Sequence, residues 1–294
     1  MDALTINKIV LPVMLASMML TMGLSLQRVN FIEVLRHPKA LGLGVTLQLV
    51  ILPLLAWLII LGFRLPTELA AGLLLISLAP GGASSNAISF LADGDVALSI
   101  SLTIVSSLVV PFILPIMLMW HYSFLGMGAE PFDIPILPTI TQLCVVSLIP
   151  IALGMFIRHR FEGTFGPLQK LFEKSTGIIL GLLIAIMAWN NRLELMEVLE
   201  TSSLLLLALC ALAYCSGVFI AQLIGLPIQQ QRTLGIETGI QNAGIAMMVA
   251  ASIMGKPALA MIALFYGIGM NLPAIAMISW IRWRGQEPNG EPAV

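Results

Sequence analysis

Long apolar stretches fill most of this chain, and short polar segments part them at intervals close to one membrane crossing. A helix needs about 20 apolar residues to traverse the hydrocarbon core. On that measure the pattern predicts nine spans, at 8–26, 39–62, 67–91, 95–120, 134–158, 171–190, 199–223, 229–253 and 257–281. Two of them carry polar, helix-breaking segments. The third contains Ala79-Pro80-Gly81-Gly82-Ala83-Ser84-Ser85-Asn86, and the eighth contains Gly235-Ile236-Glu237-Thr238-Gly239-Ile240-Gln241-Asn242. Proline removes a backbone donor and clashes inside a helix, while glycine permits unusual dihedrals. Irregular backbone is costly in lipid unless protein or a water-filled cavity shelters it. A pair of interrupted helices in matching places points to the binding site of a secondary transporter.

Composition sharpens the class. The chain has 294 residues, 59% hydrophobic and 10% charged, against about 25% charged in soluble domains. This predicts an all-α polytopic membrane protein, a single transporter domain over 1–294. No basic tract invites nucleic acid, and no feature calls for an obligate protein partner. The loops are too short for a soluble catalytic domain. HExxH, CxxC and nucleotide-binding glycine loops are absent, and Ser84 and Ser85 have no local histidine base. The chain is therefore not read as an enzyme, and no cofactor is expected. Cys144, Cys210 and Cys215 lie in apolar stretches and read as buried small hydrophobes. His121 reads as solvent-exposed near a membrane boundary. Trp120, Trp189 and Trp280 read as members of the aromatic belts.

The connecting charges predict an orientation. Arg28, Arg36 and Lys39 follow the first span, Arg158, Arg160 and Lys170 the fifth, and Arg282 and Arg284 the ninth, with Arg232 near the start of the eighth. Alternating spans put all of these on one side. The positive-inside rule makes that side the cytoplasm, with the N-terminus outside and the C-terminus inside. Residues 285–294 read as a flexible cytoplasmic tail. Residues 1–120 and 171–281 read as matching units, with 134–158 between them. The intervening span makes the two units insert oppositely, which is an inverted-topology repeat. Asn86 and Asn242 read as occupying comparable places in the two units.

The intramembrane polar residues carry the chemistry. Glu237 is costly in lipid unless a cation or strong donors meet it. No Lys or Arg is central in any span, so either Na+ or a proton is expected there. Thr238, Gln241 and Asn242 lie beside it, and Ser85 and Asn86 bring oxygens from the other break. Ser99 and Thr103 are four residues apart and share a helix face. Gln48 is an isolated amide in the second span. Hydroxyl, amide and carboxylate oxygens suit hard cations.

Gly82-Ala83-Ser84-Ser85-Asn86, followed by Leu91-Ala92-Asp93-Gly94-Asp95-Val96-Ala97-Leu98-Ser99, and Glu237-Thr238-Gly239-Ile240-Gln241-Asn242-Ala243-Gly244 are the specific motifs. With Gln48 in Leu47-Gln48-Leu49-Val50-Ile51-Leu52-Pro53, the chain resembles the bile acid:sodium symporter family, as a bacterial homologue of the nine-helix form. The resemblance implies a core of spans two to four and seven to nine, with spans three and eight crossing at their breaks. Spans one, five and six form the panel. It implies one Na+ on Ser85, Asn86, Ser99, Thr103 and Glu237, and a second on Gln48, Glu237, Thr238, Ile240 (through its backbone carbonyl) and Gln241. Substrate contacts are expected from Asn86, Asn242, Met270 and Asn271. Where members related to the bacterial bile-acid carriers place a His-Asn pair, this chain has Met270-Asn271, so a small carboxylate is expected rather than a bile acid or steroid conjugate. The expected activity is import of an organic anion with Na+ by alternating access through the bacterial inner membrane. A proton-coupled carrier and a channel are the alternatives.

Overall fold

The computed structural model describes residues 6–27, 38–82, 84–124, 135–161, 189 and 192–285, with side chains left out at a few of these. Every regular element among them is helical. Six helices are long and apolar enough to cross a membrane: Lys8–Ser25 (α1), Pro38–Phe63 (α2), Val96–Phe124 (α5), Ile136–Arg160 (α6), the Ser202–Leu223 part of Arg192–Leu223 (α7), and Pro257–Trp283. The last divides at Met270 into Pro257–Gly269 (α10) and Asn271–Gly285 (α11).

The expected spans 67–91 and 229–253 are each split in two. The first becomes Thr67–Ser77 (α3) and Ser84–Leu91 (α4); the second becomes Ile228–Gly239 (α8) and Ala243–Ile253 (α9). At 1.5 Å per residue each pair adds up to about 30 Å of helix, one crossing shared between two half-helices. The expected span 171–190 lies outside the described residues apart from Trp189.

Local chemistry shapes the long helices. In α2 and α6 a π-helical turn (Leu47–Ile51 and Cys144–Leu148) leads into a proline in the next turn, Pro53 and Pro150. Proline cannot give the ordinary backbone bond there, and a widened turn absorbs the fault. The bulge in α2 carries Gln48 inward, where it is buried. Helix α3 is apolar on all sides, and every residue from Leu69 to Ser77 is buried, as a helix sheathed by other helices must be.

Helix α7 packs most extensively on α8. A β-carbon at Gly217 would stand 2.5 Å from the Leu234 carbonyl oxygen and 2.7 Å from the Cα of Gly235. Small residues let the two backbones approach without lipid between them. Helices α1 and α6 pack together in the same way, and Arg158 Nη1 donates to the Leu24 carbonyl at 2.7 Å. The C-terminal ends of α1 and α6 therefore lie on one side, as alternate crossing requires.

Three expectations give way. His121 is buried, with 6% of its surface exposed. It sits edge-on to Trp57 and Trp120, and its Nδ1 is 2.6 Å from the Met117 carbonyl oxygen. Position near a span end did not reveal this, because α2 supplies the covering Trp57. Cys210 is buried as expected, but Cys215 is exposed and Cys144 half-buried. An apolar stretch tells that a residue avoids water, not whether it faces protein or lipid.

Candidate functional site

The two breaks meet. Gly81 and Gln241 form an isolated antiparallel bridge. Gly82 N–H donates to the Ile240 carbonyl at 3.1 Å, and Asn242 N–H donates to the Pro80 carbonyl at 2.8 Å. These bonds are reciprocal, so each interrupted helix satisfies backbone groups that the other leaves open. Gly82 eases this approach: a β-carbon there would lie 3.1 Å from the Gln241 carbonyl oxygen, a tight contact.

The carbonyls at the end of α8 can be followed one at a time. That of Ile236 accepts the Ile240 amide at 2.8 Å. Glu237's accepts the side-chain amides of Gln48 (3.0 Å) and Gln241 (3.2 Å), and Thr238's accepts Gln241 Nε2 at 2.9 Å. Gly239's accepts the Tyr266 hydroxyl at 3.0 Å. Side chains thus replace the helix donors that the break removes. Helix α9 then starts on Asn242, whose Oδ1 accepts the Ile245 amide at 3.2 Å.

Against this frame stands Glu237, fully buried. Ser85 Oγ donates to its Oε1 at 2.6 Å, and Ser99 Oγ contacts the same oxygen. Gln48 Nε2 lies 3.5 Å from Oε2. Asn86 Oδ1 faces Ser99 Oγ at 2.8 Å and Thr103 Oγ1 at 3.4 Å. Four helices, α2, α4, α5 and α8, converge on one carboxylate. Among the described residues no basic side chain pairs with it; Arg232 pairs instead with Asp93, at 3.9 Å.

Oxygens outnumber protons in this cluster. The hydroxyls of Ser85, Ser99 and Thr103 carry one proton each. They face four acceptors: Glu237 Oε1, Asn86 Oδ1, the Gly82 carbonyl (2.7 Å from Ser85 Oγ) and the Ser99 carbonyl (3.0 Å from Thr103 Oγ1). Gln48 Oε1 and Gln241 Oε1 are buried with no hydrogen-bond partner. An excess of buried oxygen lone pairs around a carboxylate is matched chemically by a hard cation. Among the described residues no group of three His, Cys, Asp or Glu side chains gathers. One carboxylate among neutral oxygens suits a monovalent ion better than the carboxylate-rich cages of Ca2+.

The structure brings together Gln48, Ser85, Asn86, Ser99, Thr103, Glu237 and Gln241. Thr238 is buried beside them, but its hydroxyl donates back to the Leu234 carbonyl at 2.6 Å. Ile240 presents its carbonyl to Gly82. The expected substrate residues are less concentrated. Asn271 Nδ2, at the start of α11, donates to the α10 carbonyls of Gly267 (2.9 Å) and Ile268 (3.2 Å), and Met270 is buried. No hydrogen bond joins Asn86, Asn242 and Asn271 among the described residues. Packing still brings Asn242 and Asn271 into one neighbourhood: a β-carbon on Gly267, one turn before Asn271, would meet Ala243 at 2.7 Å. Asn86 and Asn242 are not equivalents. Asn86 lies five residues beyond Gly81, inside α4, whereas Asn242 directly follows Gln241 and caps α9. The register of the bridge sets this, and hydropathy carries no register.

Sequence reasoning missed Ser106 and Tyr266. Ser106 Oγ accepts the Gly81 amide at 3.2 Å and donates to the Thr103 carbonyl at 3.3 Å. Its signal was present, since Ser99, Thr103 and Ser106 fall at i, i+4 and i+7 on one helix face. An apolar cavity of about 490 Å³ opens between α7 and α11, lined by Tyr214, Cys215, Phe219, Met277 and Trp280 among others. None of the site residues lines it.

Residues 12–217 match the Sodium Bile acid symporter family. The chain belongs to that family. Membership places it among sodium-coupled secondary transporters of organic substrates and outside the enzymes. The matched stretch holds the first break and α5 and ends before Glu237. The chain is also 29% identical over 245 residues to the uncharacterized sodium-dependent transporter YocS of Bacillus subtilis (strain 168), covering 82% of this chain and 73% of the relative. It is 33% identical over 232 residues to the human sodium/bile acid cotransporter 4, covering 79% and 53%. With the mouse ileal sodium/bile acid cotransporter it shares 28% identity over 251 residues, covering 83% and 70%. The chain thus spans about half the length of the human relative.

Proposed function

We propose that this protein imports an organic anion together with Na+, and that the ions bind on the oxygen cluster around Glu237. The observation that carries the reading is the excess of buried acceptors over donors where the two breaks meet. Two ions fit two donor groups that share the carboxylate. Ser85, Asn86, Ser99 and Thr103 serve one; Gln48, Gln241 and the carbonyls of Thr238 and Ile240 serve the other. Binding there ties α2, α4, α5 and α8 together and fixes the start of α9, where Asn242 lies close to Asn271 at the proposed substrate site.

The reciprocal bridge supports an inverted repeat, because an antiparallel pair relates its two strands by a local two-fold axis. On this reading α2 to α5 and α7 to α11 form a core that moves against α1 and α6, with the N-terminus outside and the C-terminus in the cytoplasm. With two Na+ and a monoanion one net positive charge enters per cycle, driven by about 2.3 kcal/mol per 100 mV of membrane potential. Of the two substrate classes, the relatives' names favour a bile acid or steroid-conjugate anion over a small carboxylate. Met270 keeps the smaller acids in the test.

The test is uptake of labelled taurocholate, pantoate and pyruvate into proteoliposomes with and without an inward Na+ gradient. Sodium-driven accumulation of one of them is expected and sets the class. Accumulation driven by a proton gradient in sodium-free buffer overturns the ion assignment. Flux that never saturates or accumulates overturns the carrier.

A further inference from the structure

Tyr266 has the largest of the fully buried side chains. Its hydroxyl donates to the carbonyl of Gly239 at 3.0 Å, the last residue of α8 before the break. The buried Cys210 lies beside Tyr266. The Tyr266 hydroxyl ties α10 to the end of α8. On its other side Gly239 is wedged against the ring of Tyr214, which occupies the space a β-carbon would need. The Tyr214 hydroxyl is buried with no partner, so its contribution is the ring alone.

A peptide carbonyl held on one side and packed on the other cannot rotate freely. The carbonyls on either side are those of Thr238, which accepts Gln241 Nε2, and Ile240, which accepts the Gly82 amide. We infer that Tyr266 is a positioning residue for sodium binding: it fixes the Gly239 peptide that lies between these two carbonyls. It touches no ion. Tyr266 lies in the last turn of α10, where its backbone carbonyl accepts the Met270 amide at 2.8 Å, so its side chain ties the break to the end of the helix that leads to Met270 and Asn271. This inference rests on the reading that residues 237–241 bind Na+.

The test uses purified full-length protein and Na+ alone as the probe. Melting temperature is followed as NaCl replaces N-methyl-D-glucamine chloride at constant ionic strength. Loss of one buried hydrogen bond from the sodium-bound state predicts that Tyr266→Phe raises the half-saturating Na+ concentration about five- to tenfold. Tyr214→Phe, which loses a hydroxyl without a partner, stays within about twofold. A merely structural tyrosine lowers the melting temperature in sodium-free buffer and leaves half-saturation unchanged, and that result overturns the inference. If Tyr266→Phe does not yield folded protein, the three tyrosines of the chain are labelled as 3-fluorotyrosine, and a Tyr266 fluorine signal that does not move with Na+ overturns the inference instead. Absence of any sodium-dependent stabilisation in the unaltered protein, or its full retention in Glu237→Gln, defeats the ion reading itself and is a separate outcome.

Discussion

The two breaks do the same job with different means. The first is written in its own residues: Pro80, Gly81 and Gly82 interrupt α3 wherever the chain is placed. The second, Ile240-Gln241-Asn242, has neither proline nor glycine between α8 and α9. It is held open from outside and by its own polar side chains. Gln48 reaches in from α2 and Tyr266 from α10, Gln241 folds back onto α8, and Asn242 caps α9. One break is specified by local conformational preference and the other by tertiary hydrogen bonds. The second also carries the carboxylate. The more adaptable backbone thus sits beside the carboxylate.

The largest effect is expected at the residue both breaks share. Glu237→Ala leaves Ser85 and Ser99 without their common acceptor and removes the one carboxylate of the cluster. It is expected to cut sodium-driven uptake on the order of 100-fold. Transport rates in proteoliposomes check this, and unchanged sodium-dependent uptake sinks the assigned role.

Next comes the contact between the breaks. Gly82→Ala sets a β-carbon against the Gln241 carbonyl at 3.1 Å and the Ile240 side chain at 3.2 Å. The neighbours must give by a few tenths of an ångström, with an expected cost of about 1 kcal/mol. A melting temperature equal to that of the unaltered protein contradicts the close approach. Asn242→Ala removes the cap of α9 and is expected to cost about 1 kcal/mol. If the second break is held by such bonds, the loss shows as lowered hydrogen-exchange protection in α9; protection that matches the unaltered protein argues that the cap is idle. The smallest effect belongs to Thr103→Ala, whose hydroxyl lies 3.4 Å from Asn86 Oδ1. A two- to fivefold rise in half-saturating Na+ is expected, about 0.4–1 kcal/mol. An unchanged sodium dependence removes Thr103 from the ion site.

Much of this was legible in the chain, for identifiable reasons. The cost of Glu237 in an apolar stretch, and the hydroxyls of Ser99 and Thr103 one turn apart, are visible without coordinates. Ser106 continues the same stripe and was overlooked. Tyr266 left no trace, because an isolated tyrosine in an apolar helix looks like any other large core residue. Cys144 and Cys215 went wrong for one shared reason. Hydropathy separates water from everything else, whereas in a membrane a residue facing lipid and one facing protein are equally apolar. Leu204, 77% exposed, and Leu206, fully buried, are indistinguishable in the sequence.

By itself the sequence determined the membrane class, the place where α3 must end and the cost of Glu237 in an apolar stretch, because transfer energies and backbone preferences are local properties. The tertiary structure alone decided the register of Gly81 on Gln241, the non-equivalence of Asn86 and Asn242, and the partner of each carbonyl from Glu237 to Ile240. Those depend on which helices meet and at what depth, and an unsatisfied backbone group accepts any donor that packing delivers.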